Sequence, residues 1–160
     1  MASTTFSGPV TSTAGFISGS DSLVSVAADV TLTSASHAGR TMVLGVASGA
    51  TVTLPAASGT GNIYRFFVST TVTSNDYIIQ VANGDDTMAG VAIIANDSDN
   101  SASIFETAAT SDTVTMNGTT TGGLLGTTVE IQDVASNVFS VVLRGAATGT
   151  EATPFSAAVS

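Results

Sequence analysis

The chain has one histidine, His37, in the small-residue stretch Ser34-Ala-Ser-His-Ala-Gly39. An imidazole can serve as a general base or a metal ligand. A nucleophilic triad also needs a serine in a sharp elbow and an acid to orient the base. The sequence has no Gly-x-Ser-x-Gly and no second histidine, so His37 reads as a turn residue. Acids cluster at Asp85-Asp86 and at Asp97-Ser-Asp-Asn100. Loop carboxylates are hard oxygen ligands suited to calcium. An EF-hand register starting at Asp97 puts Ala102 where the glycine belongs and Ala108 where the bidentate glutamate belongs. The 96–101 loop therefore reads as a solvated polar turn, with an irregular calcium site as the alternative. Glycoside hydrolysis needs two carboxyls across a cleft, one in an apolar setting. The glutamates are Glu106, Glu130 and Glu151, and Glu130 lies on the outer side of an alternating run. There is no tryptophan to form a sugar platform, and Tyr64 and Tyr77 read as core.

Arg65 is the one charged residue within an aromatic run, Tyr64-Arg-Phe-Phe67, with the parity of Ile63 and Phe67. A guanidinium in that setting must be paired, stacked or placed at a subunit boundary. A local salt bridge and an arginine–carboxylate contact across an interface satisfy this equally. No catalytic residue, metal or cofactor follows from these side chains, and the expectation is a protein that is not an enzyme.

Composition narrows the partners. The 160 residues carry three arginines, no lysine and twelve acids, for a net charge of −9. Nucleic acid binding requires cations that neutralise phosphates, so DNA and RNA are not expected partners. An anionic membrane surface is disfavoured for the same reason. No apolar run reaches the roughly 20 residues of a membrane-spanning helix. With no cysteine there is neither a disulfide nor a thiol nucleophile. Charged residues are 9% of the chain, against roughly 25% in a typical domain. Its surface must therefore be built from hydroxyls and amides. The N-terminus has no basic segment followed by an apolar one, so production in a cytoplasm is expected.

These side chains would be held by short alternating runs between turn signals, the pattern of an all-β domain. Val52 and Leu54 share a face, as do Tyr77, Ile79 and Val81, then Val114 and Met116, Val129 and Ile131, and Phe139, Val141 and Leu143. About ten short strands are predicted, with no helical period. The expected architecture is an antiparallel β-sandwich or β-barrel, jelly-roll or β-tulip-like. Thr51 to Val68 reads as a β-corner: a strand stops at Pro55, which has no N–H to donate, and Gly59 and Gly61 permit a sharp turn. The division expected is an extended N-terminal arm over 1–20, a β domain over 21–145 and a C-terminal tail over 146–160. The arm reads either as a loose terminus or as a segment that adds to a neighbour's sheet edge, anchored by Phe6 and Phe16. Lysine is not available to guard strand edges, so arm, tail or neighbouring subunits are expected to cover them.

The segment Thr51-Val-Thr-Leu-Pro-Ala-Ala-Ser-Gly-Thr-Gly61 with Tyr64-Arg-Phe66 resembles one found in small structural proteins of tailed bacteriophages. So do Thr4-Thr-Phe-Ser-Gly-Pro-Val-Thr-Ser12, Phe105-Glu-Thr-Ala-Ala-Thr-Ser-Asp-Thr113, Asn117-Gly-Thr-Thr-Thr-Gly-Gly123 and Gly149-Thr-Glu-Ala-Thr-Pro-Phe-Ser156. In size and composition the chain is most similar to the capsid decoration, or cement, type. That resemblance implies a β-rich subunit, commonly a homotrimer, that binds the major capsid protein on the outer surface of the virion and reinforces the shell. The residues expected at capsid or subunit contacts are Thr5, Phe6, Val10, Phe16 and Ile17 of the arm, and Arg65. Related segments occur in phage fibres, so the alternative is a host-recognition module binding a cell-surface glycan through the 96–101 and 117–123 loops.

Overall fold

Alternation of small β-branched residues with apolar ones over four to nine positions gives strands, and turn residues set their ends. In the computed structural model, which describes residues 22–159 and Ser7, the strands fall into two sets. The first is β1 (Leu23–Val26), β2 (Val30–Thr31), β3 (Thr41–Leu44), β4 (Ala50–Thr53), β5 (Ile63–Val68) and β6 (Tyr77–Gln80), with a one-turn helix α1 (Ser34–His37) between β2 and β3. The second is β7 (Thr87–Ala95), β8 (Ala102–Glu106), β9 (Thr113–Met116), β10 (Thr128–Ala135), β11 (Val138–Ala146) and β12 (Phe155–Ser156). The fold is all-β. The predicted arm residues Thr5, Phe6, Val10, Phe16 and Ile17 lie outside the described residues.

The strands form a seven-stranded sheet in the order β1-β3-β5-β10-β11-β7-β8 and a five-stranded sheet in the order β12-β9-β6-β4-β2. The expectation of purely antiparallel pairing is corrected: both sheets are mixed. In the first set, odd-numbered strands enter the large sheet and even-numbered strands the small one. Each link carries the chain across the gap between sheets instead of back beside the strand it has left. Two crossings restore the original direction, so β1, β3 and β5 run parallel to one another, as do β2, β4 and β6. The chain thus winds as a coil around the core. The Thr51–Val68 stretch supplies one crossing, from β4 in the small sheet to β5 in the large one. The second set pairs mostly as antiparallel neighbours, β7 with β8 and β10 with β11, although β11 runs parallel to β7.

Side chains of inward parity from both sheets meet in one core. Met42, Leu44, Tyr64, Phe66, Val129, Ile131, Phe139, Val141 and Leu143 come from the large sheet, and Val52, Tyr77, Ile79, Val114 and Met116 from the small one. Each large apolar side chain buried this way contributes about 1.5–3 kcal/mol relative to exposure. Tyr64 and Tyr77 are core residues, as expected, and the Tyr77 hydroxyl donates to the Thr70 carbonyl oxygen at 3.1 Å. Residues 147–159 return to the small sheet, where β12 pairs antiparallel with β9 and buries Phe155. One edge of that sheet is thereby covered.

Candidate docking surface

Two of the cross-strand rows on the outer face of the large sheet span all seven strands. One runs Leu23, Thr41, Arg65, Glu130, Val142, Val91, Glu106. The next runs Ser25, Val43, Phe67, Thr128, Arg144, Ile93, Ile104. Among the described residues, four of the six exposed large hydrophobics lie in these rows: Leu23 at 63% exposure, Phe67 at 37%, Ile93 at 39% and Ile104 at 66%. A shallow groove on this face is lined by Leu23, Val43, Phe67, Arg65, Glu130 and Arg144 among others.

The charge of this face sets it apart. Its two arginines balance its two glutamates, so the net charge of −9 resides in the other ten acids and Arg40. The large sheet presents a neutral, partly apolar surface on an acidic body. Parallel pairing adds to its significance, because sheets rich in parallel strands ordinarily have both faces covered. The exposed apolar side chains grouped on this face make it the candidate docking surface.

Arg65 stands directly opposite Glu130 in the β5–β10 register, and its Nε donates to Glu130 Oε2 at 3.0 Å. Both side chains are nearly half exposed, at 44% and 49%. The local salt bridge is the arrangement present. It orders the centre of the outer face but adds little stability, since exposed ion pairs contribute about 0–1 kcal/mol.

The other candidate residues are committed to local structure. His37 Nδ1 accepts the Thr33 N–H at 3.0 Å and closes the one-turn helix. In the 96–101 loop, Asp99 accepts the N–H and the hydroxyl of Ser101, and these bonds hold its carboxyl below the usual range. Asp97 Oδ2 accepts the Gly149 N–H at 3.2 Å. Among the described residues, no three of His, Cys, Asp or Glu are grouped to hold a metal. In the 117–123 loop, Asn117 Oδ1 accepts the N–H groups of Thr119 and Thr121. Thr148 and Ala152 donate N–H groups to the Thr119 and Thr120 carbonyls. The segment from Thr148 to Ala152 therefore bonds to both loops and gathers them at one end of the sandwich. No described helix is long and apolar enough to cross a membrane.

Three buried aspartates were not anticipated from sequence, and two of them hold the β-corner. Asp133, 3% exposed, accepts the N–H groups of Ser58, Gly59 and Thr60 at 3.0, 2.7 and 3.0 Å, and the Thr60 hydroxyl at 2.6 Å. Burial pushes the Asp133 carboxyl up, but these four donors outweigh it and hold the group below the usual carboxylate range. Asp86 Oδ2 accepts the Ala57 N–H at 3.1 Å and an Asn83 side-chain N–H at 2.9 Å. At 1% exposure Asp86 is a core acid. Asp112 accepts the N–H groups of Ala158 and Val159 and fixes the tail. A signal for Asp133 was present, because it shares the inward parity of Val129 and Ile131.

Compared with protein-family models, curated proteins and solved structures, the chain matches none.

Proposed function

We propose that the chain is a non-catalytic virion structural protein that decorates the outside of a tailed-phage capsid, binding the major capsid protein and reinforcing the shell as a homotrimer. The observation that carries this reading is the neutral, apolar outer face of the large sheet on an otherwise acidic protein. Such a face packs on a broad protein surface without electrostatic repulsion. The acidic remainder, free of lysine, suits exposure to solvent on the outside of a shell. The residues assigned to contact are Arg65 and Phe67 on this face, with Thr5, Phe6, Val10, Phe16 and Ile17 as further anchors.

Co-sedimentation with undecorated capsids tests the reading. The wild-type chain is expected to pellet with them in many copies per particle. Phe67→Asp is expected to weaken binding at least about tenfold, with an unchanged melting temperature. Deleting residues 1–20 is expected to abolish binding and leave the β fold intact. Failure of the wild type to pellet, or full binding by Phe67→Asp, overturns it.

A second reading rests on the polar loops at 96–101 and 117–123, which the 148–152 segment gathers at one end. A phage fibre or host-recognition module would bind a cell-surface glycan there. Saturable binding on a glycan panel, lost on Asn117→Ala, would favour this reading over decoration.

A further inference from the structure

The large sheet ends in two strands, β1 and β8, beyond which no described strand lies. Both have length enough to template another strand, with four and five residues, whereas the end strands of the small sheet have two each. Neither contains lysine or proline, and Glu106 at the end of β8 is their sole charge. An unguarded strand edge offers a row of free N–H and C=O groups to another chain.

The side chains at the two edges match. Leu23 on β1 and Ile104 on β8 are 63% and 66% exposed, and both point to the outer face. They stand at opposite ends of the same sheet, some six strands apart in its order. Within one copy they cannot meet. Between copies they become neighbours as soon as the two edges pair.

Direction also fits. β1, β3 and β5 are parallel; β10 opposes β5; β11 opposes β10; β7 follows β11; and β8 opposes β7. β8 therefore runs antiparallel to β1. If a second copy continues the sheet with its outer face on the same side, the new junction is antiparallel, the slightly more stable ladder. Because the two edges differ, the contact is head to tail, and repeated head-to-tail contacts close into a ring when the rotation permits.

We propose that copies of this chain join β8 of one to β1 of the next, antiparallel, in a closed ring whose large sheets are continuous across each junction. The junction buries Leu23 of one copy against Ile104 of its neighbour.

Analytical ultracentrifugation of the full chain tests this with Leu23→Glu, Ile104→Lys and the double variant. Both positions are exposed, so circular dichroism and melting temperature are expected to match wild type. The wild type is expected to form one closed species. Each single variant is expected to associate at least about tenfold more weakly. The double variant, carrying opposite charges across the junction, is expected to recover association that declines with added salt. A monomeric wild type, single variants that associate normally, or a double variant that stays monomeric overturns the proposal. So does loss of the assembly on deleting residues 1–21 while Leu23→Glu leaves it intact, because the arm would then be what covers the edge. Capsid binding is read separately, so its failure alone leaves the ring standing.

Discussion

From β1 to β6 the chain winds around the core, while from β7 to β12 it mostly folds back on itself. The winding half has parallel strands in both sheets, and its links cross the gap between them. The returning half has antiparallel neighbours, which satisfy each other's backbone groups across short connections. The 55–62 crossing link has only an isolated bridge of that kind, Ser58 with Ser136, so most of its N–H groups need other partners. At the 55–62 corner carboxylates accept the N–H groups of Ala57, Ser58, Gly59 and Thr60. Asp86, immediately before β7, and Asp133, in β10, both accept backbone N–H groups from the corner. The coil is thus clasped by acids that come later in the sequence.

The largest test of that contrast is Asp133→Ala. It strands three backbone N–H groups and the Thr60 hydroxyl, and a loss of about 3 kcal/mol is expected in urea unfolding. The clasp also has a pH signature. A carboxyl held low in the folded state stabilises the fold above its unfolded value, near 4, and that contribution is lost as pH falls through the folded value. Stability of the wild type should therefore drop on acidification below about pH 4, and Asp133→Asn should flatten that part of the curve. A pH profile unchanged by the substitution would dissolve the proposed dependence of one half on the other.

Gly90 probes the returning half at its one parallel junction. A Cβ there would collide with the Val141 backbone carbonyl, so β7 and β11 approach too closely for alanine. Gly90→Ala is expected to cost about 2–3 kcal/mol, measured by thermal unfolding, because backbone on both sides must move. The smallest effect belongs to Arg65→Ala. Loss of the exposed pair with Glu130 should change stability by about 0.5 kcal/mol and less at high salt.

The inward set was legible because alternation assigns faces irrespective of strand direction. Val52, Tyr77, Ile79, Val114, Met116, Val129, Ile131, Phe139, Val141 and Leu143 are all buried as their parity implied. Strand direction was not legible for the same reason: Thr41 to Leu44 alternates identically beside a parallel or an antiparallel partner. The short links between these runs resemble hairpin turns in composition, and only the gap they span distinguishes them. The docking face was also hidden. Its rows combine residues as distant as Leu23 and Glu106, and neutrality emerges only when the register aligns Arg65 with Glu130. Asp133 was readable in principle, since an acid at an inward position facing a Ser-Gly-Thr turn demands several donors.

The coil also defines how the protein can change length. Val30 lies opposite Val52, so between β2 and β4 the chain returns to an equivalent position after 22 residues, while other turns, such as Leu23 to Thr41, have other lengths. Removing or duplicating that interval would shorten or lengthen both sheets by one strand and join equivalent backbone positions. The returning half, where strands interlock out of sequence order, admits no such unit.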